Sequence, residues 1–269
     1  MFWSAVGIDG RVLAQYFVWG VCLVAAVAAF RRALPRALEN PCGFPAAPWG
    51  WQEAVLSGGL VTLFLLMATG ASATPAPKLD LGDVLTGLAL YAGLVFFVLG
   101  FLVFRGMNLA EAFGLRVRGW SAATVAGWLL MFLPAIYLTQ VIVYTWAGPD
   151  TRPQPIVDFL LQSSGWRERA AVLLVAVVAA PVTEELIFRG CLYGVARSRW
   201  GRPVAILFTS ILFAAIHGHA PSLPGLMILA IGLALVYERC GSLWAPIGMH
   251  AAFNGLTIAA ALLWPDLIQ

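Results

Sequence analysis

Charged side chains are scarce in this 269-residue sequence: Asp, Glu, Lys and Arg together make up 11%, against 61% hydrophobic residues. A soluble domain carries charge on about a quarter of its residues, because its surface faces water. The formal net charge is only +3, and the arginines are scattered near the ends of apolar segments. This argues against nucleic-acid binding, which needs a basic face. The composition therefore predicts a membrane protein.

Cysteine and lysine are also rare. The four cysteines, Cys22, Cys42, Cys191 and Cys240, lie far apart without a CxxC pair, so the sequence shows neither a disulfide framework nor a thiolate metal site. Lys78 is the single lysine, whereas Ala, Trp and Arg are abundant. This bias indicates a GC-rich prokaryotic genome, and we therefore expect a prokaryotic cell membrane as the location.

Apolar segments are long enough to cross a bilayer at several places, since a span needs about 20 mostly apolar residues. The candidates are roughly 12–30, 54–73, 84–104, 120–146, 168–189, 203–218, 223–237 and 242–264. The first is interpreted as a retained anchor, because Arg31, Arg32 and Arg36 follow it, whereas a signal peptide carries its positive charge in front. The predicted fold is an all-α, polytopic transmembrane helix bundle of about eight spans.

Arginine placement predicts the orientation of this bundle, because cytoplasmic loops are enriched in Lys and Arg. The loops after spans one, three, five and seven hold ten arginines: Arg31, Arg32, Arg36, Arg105, Arg116, Arg118, Arg197, Arg199, Arg202 and Arg239. The opposite side holds five basic residues: Arg11, Lys78, Arg152, Arg167 and Arg169. Both termini are therefore predicted to lie on the non-cytoplasmic side.

Charged residues and histidines inside the spans are confined to the second half of the chain. An ionisable group at membrane depth costs about 2.5–3.5 kcal/mol on insertion scales, and such groups usually mark a functional site that faces the bundle interior. The ionisable residues of this kind lie on spans five, six and eight, and one asparagine accompanies them. The set is Glu184, Glu185, Arg189, His217, His250 and Asn254.

Helical geometry separates the roles of these residues. Adjacent residues on a helix point about 100° apart, so Glu184 and Glu185 cannot both face one spot. Glu185 precedes Arg189 by four residues, the favourable order for a helical ion pair, which leaves Glu184 to face a cavity. His250 and Asn254 are also four apart and share one face of their span.

One carboxylate, two histidines and one asparagine are the groups that water-dependent amide hydrolysis requires. A carboxylate can take a proton from water while a histidine orients that water, and further donors can stabilise an oxyanion. The candidates Glu184, His217 and His250 could instead hold zinc or another divalent metal, since zinc binds His nitrogen and carboxylate oxygen. The residues leave both mechanisms open. A proton-coupled transporter and a non-catalytic immunity protein are the alternative functions.

Five further residues in the second half of the chain are interpreted structurally. Phe213 is expected to pack, and His219 is expected to be a loop residue beyond the sixth span. Gly190 and Gly194 form a small-residue face that allows another helix to approach closely. Pro181 removes a backbone N–H and is expected to kink span five.

The spans as drawn contain one geometric conflict. Glu184 lies about 24 Å along span five from its outer end, whereas His217 lies near the outer end of span six. The two can meet only if span five starts later, if it extends to about residue 199, or if span six tilts. The site is therefore expected at intermediate depth.

Three short motifs carry a family resemblance. P-V-T-E-E-L-I-F-R-G (181–190), F-A-A-I-H (213–217) and H-A-A-F-N (250–254) resemble the motifs E-E-x-x-x-R, F-x-x-x-H and H-x-x-x-N. These belong to the CAAX protease and bacteriocin-processing family of intramembrane endopeptidases, which includes the Ras-converting prenyl-protein endopeptidase. The resemblance covers about 165–264, the predicted catalytic core, while 1–150 matches only as generic transmembrane helices.

The resemblance implies a role for each matching residue. Glu184 would be the general base, His217 its partner in activating water, and His250 with Asn254 the oxyanion stabilisers. Glu185 and Arg189 would support them. The implied substrate is a membrane-anchored protein or peptide with a CAAX-like C-terminus, a leader peptide or a C-terminal sorting signal, and the implied mechanism either uses a metal ion or a glutamate-activated water without one.

Overall fold

The structure, a computed structural model, describes residues 10–39, 49–72, 79–115, 121–147, 155–163 and 165–263. Both chain termini lie outside these residues, as do Cys42, Lys78, Arg116, Arg118 and Arg152. The described chain is helical and contains no β-strand. This confirms the predicted all-α class.

Ten helices follow one another along the described chain. They are α1 (Gly10–Glu39), α2 (Trp51–Ser72), α3 (Leu81–Phe104), α4 (Leu109–Ala112), α5 (Ala122–Ala147), α6 (Pro155–Gln162), α7 (Trp166–Trp200), α8 (Arg202–Ala215), α9 (Leu223–Cys240) and α10 (Trp244–Leu263). Each of the eight predicted spans falls largely within one of these helices.

Six of the described helices are long and apolar enough to cross a membrane: α2, α3, α5, α7, α9 with the turn before it, and α10. The predicted polytopic helical bundle is thereby confirmed, and the chain is an integral, multi-pass membrane protein. Of the eight predicted spans, those in α1 and α8 are not among these six. Helix α8 has 14 residues and reaches only about 21 Å. A hydrocarbon core of about 30 Å exceeds that length.

Helix α7 resolves the conflict in depth between Glu184 and His217. It is one helix of 35 residues and continues past the predicted end of span five to Trp200, so Glu184 lies near its middle. Gly201 then reverses the chain with a φ of +77°, a conformation that favours glycine. Helix α8 returns beside α7 and brings His217 to the level of Glu184.

Two segments of α7 are π-helical rather than α-helical: Leu174–Ala179 and Leu186–Leu192. π-Helical turns are rare in proteins, and those that do occur are often found at functional sites. The first lies immediately before Pro181, where a backbone N–H is missing. The helix irregularity that the sequence predicts near Pro181 is therefore a π-helical turn on the N-terminal side of the proline.

A buried carboxylate fastens the ends of α7, α8 and α9 together. Glu238 is fully buried and accepts hydrogen bonds from the Tyr193 hydroxyl at 2.7 Å and from Arg197 Nε at 2.6 Å. Arg202 Nε lies 3.0 Å from its second oxygen. Two arginines that the sequence places in one loop, after span five, thus meet on one acid of another helix.

The glycine face of α7 is used for close packing. A Cβ added at Gly194 would lie 2.5 Å from the Trp49 indole, and one added at Gly190 would lie 2.9 Å from the Phe113 ring. Close approach was predicted at both glycines and is present. The nearest atoms belong to aromatic side chains, and helix α2 packs against the segment of α7 that contains Gly190.

One hydrophobic core joins both halves of the chain. Leu60, Val98 and Phe132 from the first half belong to the same buried cluster as Phe188 and Leu233 from the second. The N-terminal helices therefore form part of the packing around α7. The division at 1–150 and 165–264 stays a prediction.

Candidate active site

Glu185 is the centre of a buried polar network. Its Oε1 accepts hydrogen bonds from Arg189 Nη1 at 2.8 Å and from His250 Nδ1 at 2.9 Å. The guanidinium also donates to the Ala230 carbonyl at 3.0 Å and lies 4.5 Å from the Phe213 ring centroid. The Glu185–Arg189 pair expected from helical spacing is therefore present, with both side chains almost fully buried.

Both histidines present the same ring nitrogen to Glu184. His250 Nδ1 is bonded to the Glu185 carboxylate, and His217 Nδ1 is bonded to the Phe213 carbonyl at 2.8 Å. Carboxylates and carbonyls only accept, so each Nδ1 carries a hydrogen and Nε2 is the nitrogen left to face the site. The Nε2 atoms of His217 and His250 lie 3.8 and 4.0 Å from Glu184 Oε2.

Phe213 separates the two imidazoles. Its ring is fully buried, with centroid distances of 5.0 Å to His217 and 5.6 Å to His250. The Arg189 guanidinium lies 4.5 Å from the Phe213 ring centroid, so the ring also interacts with a buried cation. The expected packing role of Phe213 is confirmed.

Glu184 has no comparable support. Its Oε2 is buried and has no hydrogen-bond partner within the described part of the chain, although 9% of the side chain is exposed. A buried acceptor without a donor is costly. The gap between Glu184, His217 and His250 is thus lined by three acceptor atoms and suits a small molecule that donates hydrogens.

The donor set has the chemistry of a zinc site but not its spacing. Zn–N and Zn–O bonds of about 2.0–2.2 Å place tetrahedral ligand atoms roughly 3.3–3.6 Å apart, and the separations here are 3.8 and 4.0 Å. Within the described residues, no group of three or more His, Cys, Asp or Glu side chains is arranged to hold a metal ion. The residues as arranged do not fit a bound metal, and no step below runs through one.

The Asn254 side chain bonds to a different part of α7 from the side chain of His250, its expected partner. Its Nδ2 donates to the Ala176 carbonyl at 2.7 Å, within the first π-helical segment of α7. One of its two N–H groups is therefore used by the backbone of α7. The shared face of α10 brings His250 and Asn254 to α7 together, at two points nine residues apart.

His219 lies in the turn between α8 and α9, as predicted. Its Nδ1 and the Ser222 hydroxyl are 2.7 Å apart. Glu238 was not singled out from the sequence, since it follows the apolar stretch of 223–237. The signal was available, because an acid next to Arg239 at a span end needs a partner inside or beside the membrane.

Comparison with known proteins bears on this geometry. Residues 166–256 match a family model described as "Type II CAAX prenyl endopeptidase Rce1-like". The predicted family resemblance is confirmed. The Rce1-like segment contains all three motifs and all six polar residues described above.

Two curated proteins resemble part of the chain. The Bacillus subtilis (strain 168) protein named "Putative membrane peptidase YdiL" is 25% identical over 91 residues, 34% of this chain and 37% of that protein. An Escherichia coli protein named "Uncharacterized 24.3 kDa protein" is 31% identical over 102 residues, 36% of this chain and 47% of that protein. The chain thus spans less than half the length of the relatives it matches. No solved structure matches it.

Proposed function

We propose that this protein is an intramembrane endopeptidase that hydrolyses a peptide bond with a water molecule activated by Glu184. One observation carries the proposal: an unpartnered, buried Glu184 Oε2 faces the Nε2 atoms of two oriented imidazoles at 3.8 and 4.0 Å. The Rce1-like match of residues 166–256 supports a peptidase as the class of enzyme.

A water molecule between these groups would have two hydrogens for three acceptors, and protonation of one imidazole would remove this mismatch. His250 is the better supported cation, because Glu185 accepts its Nδ1 hydrogen at 2.9 Å. With His250 protonated, the charges of Glu184, Glu185, Arg189 and His250 sum to zero. Neutrality matters here because an uncompensated charge in a low-dielectric interior is expensive.

Attack then proceeds by proton transfer to Glu184. The carboxylate takes one hydrogen of the water while His217 orients the other, and the water oxygen forms a bond to the scissile carbonyl carbon. The carbonyl π electrons move to its oxygen, and the Nε2–H of His250 stabilises that oxyanion. When the C–N bond breaks, the leaving amine takes the proton from Glu184.

The position of Glu184 indicates a substrate that reaches into the membrane. Glu184 is about 24 Å along α7 from Trp200 and about 27 Å from Trp166, and both tryptophans are exposed. Exposed tryptophans favour the headgroup level, so the scissile bond has to enter well below either surface. A membrane-anchored protein or peptide meets this requirement, with a CAAX-like C-terminus, a leader peptide and a C-terminal sorting signal as the proposed substrate classes.

Terminal mapping of membrane proteins tests the proposal. Cells would contain the wild type, Glu184→Gln, or Glu111→Gln as a matched control on the exposed surface of α4. We expect termini that are present with the wild type and with Glu111→Gln and absent with Glu184→Gln. With a purified substrate found in this way, loss of the base should lower turnover by at least about 100-fold. Identical termini in all cells would refute the peptidase assignment.

Metal analysis of the purified proteins separates the two mechanisms that the sequence leaves open. If water is activated without a metal, His250→Ala and Asn254→Ala should contain no more and no less metal than the wild type. Metal present in the wild type and lost from His250→Ala alone would make His250 a ligand and replace the mechanism above.

A further inference from the structure

We infer that Asn254 is a positioning residue: its carboxamide holds the backbone of α7 in the π-helical turn that precedes Glu184. It would then act on catalysis through Glu184 and not by touching the reacting atoms. The role in catalysis rests on the proposed function, whereas the contact itself can be tested without any activity.

The backbone of α7 leaves one carbonyl without a donor. In the π-helical segment Leu174–Ala179 the N–H of Ala180 donates to the Val175 carbonyl. In a regular α-helix that N–H would serve the Ala176 carbonyl. The residue five positions after Ala176 is Pro181, which has no N–H to continue the π-helical pattern. The Ala176 carbonyl therefore lacks both of its possible partners along the helix.

Asn254 supplies the missing donor from α10. Its Nδ2 lies 2.7 Å from the Ala176 oxygen, and only the nitrogen side of the carboxamide can bond to a carbonyl. An unsatisfied carbonyl in a membrane-spanning helix is strongly unfavourable, and a side chain of a neighbouring helix commonly satisfies the group that a proline frees. Pro181 and Asn254 thus form a complementary pair, although they are 73 residues apart in the sequence.

This contact sets the direction of Glu184. A π-helical turn accommodates one more residue than an α-helical turn, and one residue corresponds to about 100° of rotation. Loss of the widened turn would therefore rotate the Glu184 side chain away from His217 and His250. Helix α10 holds α7 on both sides of the acid, through Asn254 at Ala176 and through His250 at Glu185.

A melting cycle in detergent tests the pairing of Pro181 and Asn254. The variants are Pro181→Ala, Asn254→Ala and the double variant. Asn254→Ala alone should lower the unfolding midpoint by several degrees, because the Ala176 carbonyl loses its donor. In the Pro181→Ala background the same change should cost at most half as much, because the restored N–H at position 181 can serve that carbonyl. Equal losses in both backgrounds would overturn the inference.

Cleavage by the same variants separates positioning from direct chemistry. Misplacement of a catalytic group by about 1 Å can cost roughly 100-fold in rate, so Asn254→Ala should be slow and the double variant should regain activity toward that of Pro181→Ala. A double variant that is stabilised but stays as slow as Asn254→Ala would show that Asn254 acts on the reaction, against the inference. If Asn254→Ala does not accumulate, recovery of folded protein in the double variant supports the pairing, and failure of both contradicts it.

Should the wild type and Glu184→Gln give identical termini, the proposed function fails while the melting cycle still decides the contact.

Discussion

At the scale of single residues, the two adjacent glutamates of α7 differ because their surroundings differ. Glu185 Oε1 accepts from a guanidinium and from an imidazole. Glu184 Oε2 faces two imidazole nitrogens across a gap and has no donor among the described residues. One acid is therefore held by its partners, and the other is available to accept a proton.

Glu185→Gln should act mainly by lowering the stability of the folded protein and not by removing a group that takes part in the reaction. The neutral amide would leave Arg189 without its counter-charge in a buried site, and breaking a buried pair in this way costs about 3–5 kcal/mol. We expect a lower unfolding midpoint in detergent and a lower yield. Glu184→Gln is the isosteric control and should melt close to the wild type. A well-folded Glu185→Gln that is as inactive as Glu184→Gln would show that the division of roles is wrong.

At the scale of helices, the length of α7 makes the site possible. Because α7 continues to Trp200, the short helix α8 can start at the same end and still bring His217 beside Glu184. The Glu238 carboxylate then fixes the two helices relative to α9 through Tyr193, Arg197 and Arg202. On α7 this network lies about 14–20 Å from Glu184 along the helix.

Glu238→Gln should therefore weaken the junction of α7, α8 and α9. Arg197 and Arg202 are 27% and 26% exposed, so water compensates part of the loss and we expect a cost of about 1–3 kcal/mol. The unfolding midpoint should fall by roughly 3–10 °C, whereas the exposed Glu111→Gln should leave it unchanged. An unchanged midpoint for Glu238→Gln would mean that the network contributes no stability.

At the scale of the whole molecule, three arginines predicted to lie on the cytoplasmic side form ion pairs near one end of the bundle, whereas Arg167 and Arg169 lie at the opposite end of α7. Arg197 and Arg202 share Glu238, and Arg105 Nε lies 3.3 Å from Glu53 on α2. From Ala180 to Ala196 on the way to this end, every residue of α7 except Val182 is buried. The stretch of α7 between Glu184 and that end is therefore enclosed by the surrounding helices.

Reporter fusions test which side of the membrane this end faces. Cytoplasmic enrichment in arginine predicts that a fusion near Arg199 reports the cytoplasm. Fusions within 147–165 and after Gln269 should report the opposite side, and the fusion after Gln269 tests a terminus outside the described residues. The reverse pattern at all three positions would overturn the predicted orientation.

Much of the architecture follows from local sequence. The long apolar segments predicted the helices, because a membrane-embedded backbone has to satisfy its own hydrogen bonds. The spacing of four residues predicted the Glu185–Arg189 pair, since such residues share a helix face. The motifs around Glu184, His217 and His250 predicted the Rce1-like resemblance, and the structure brings all three side chains together. The roles assigned to them stay predictions.

Contacts between distant segments could not be obtained in this way. Sequence spacing did not show that His250 bonds to Glu185, that Asn254 bonds to Ala176, or that Glu238 collects Tyr193, Arg197 and Arg202. Periodicity gives the direction of a side chain around its own helix, but the axial shift between two helices depends on side-chain packing along their whole length. By itself the sequence determined the helices, the local ion pair and the set of polar residues. Only the tertiary structure decided their partners, because a hydrogen bond requires two groups to meet within about 3 Å.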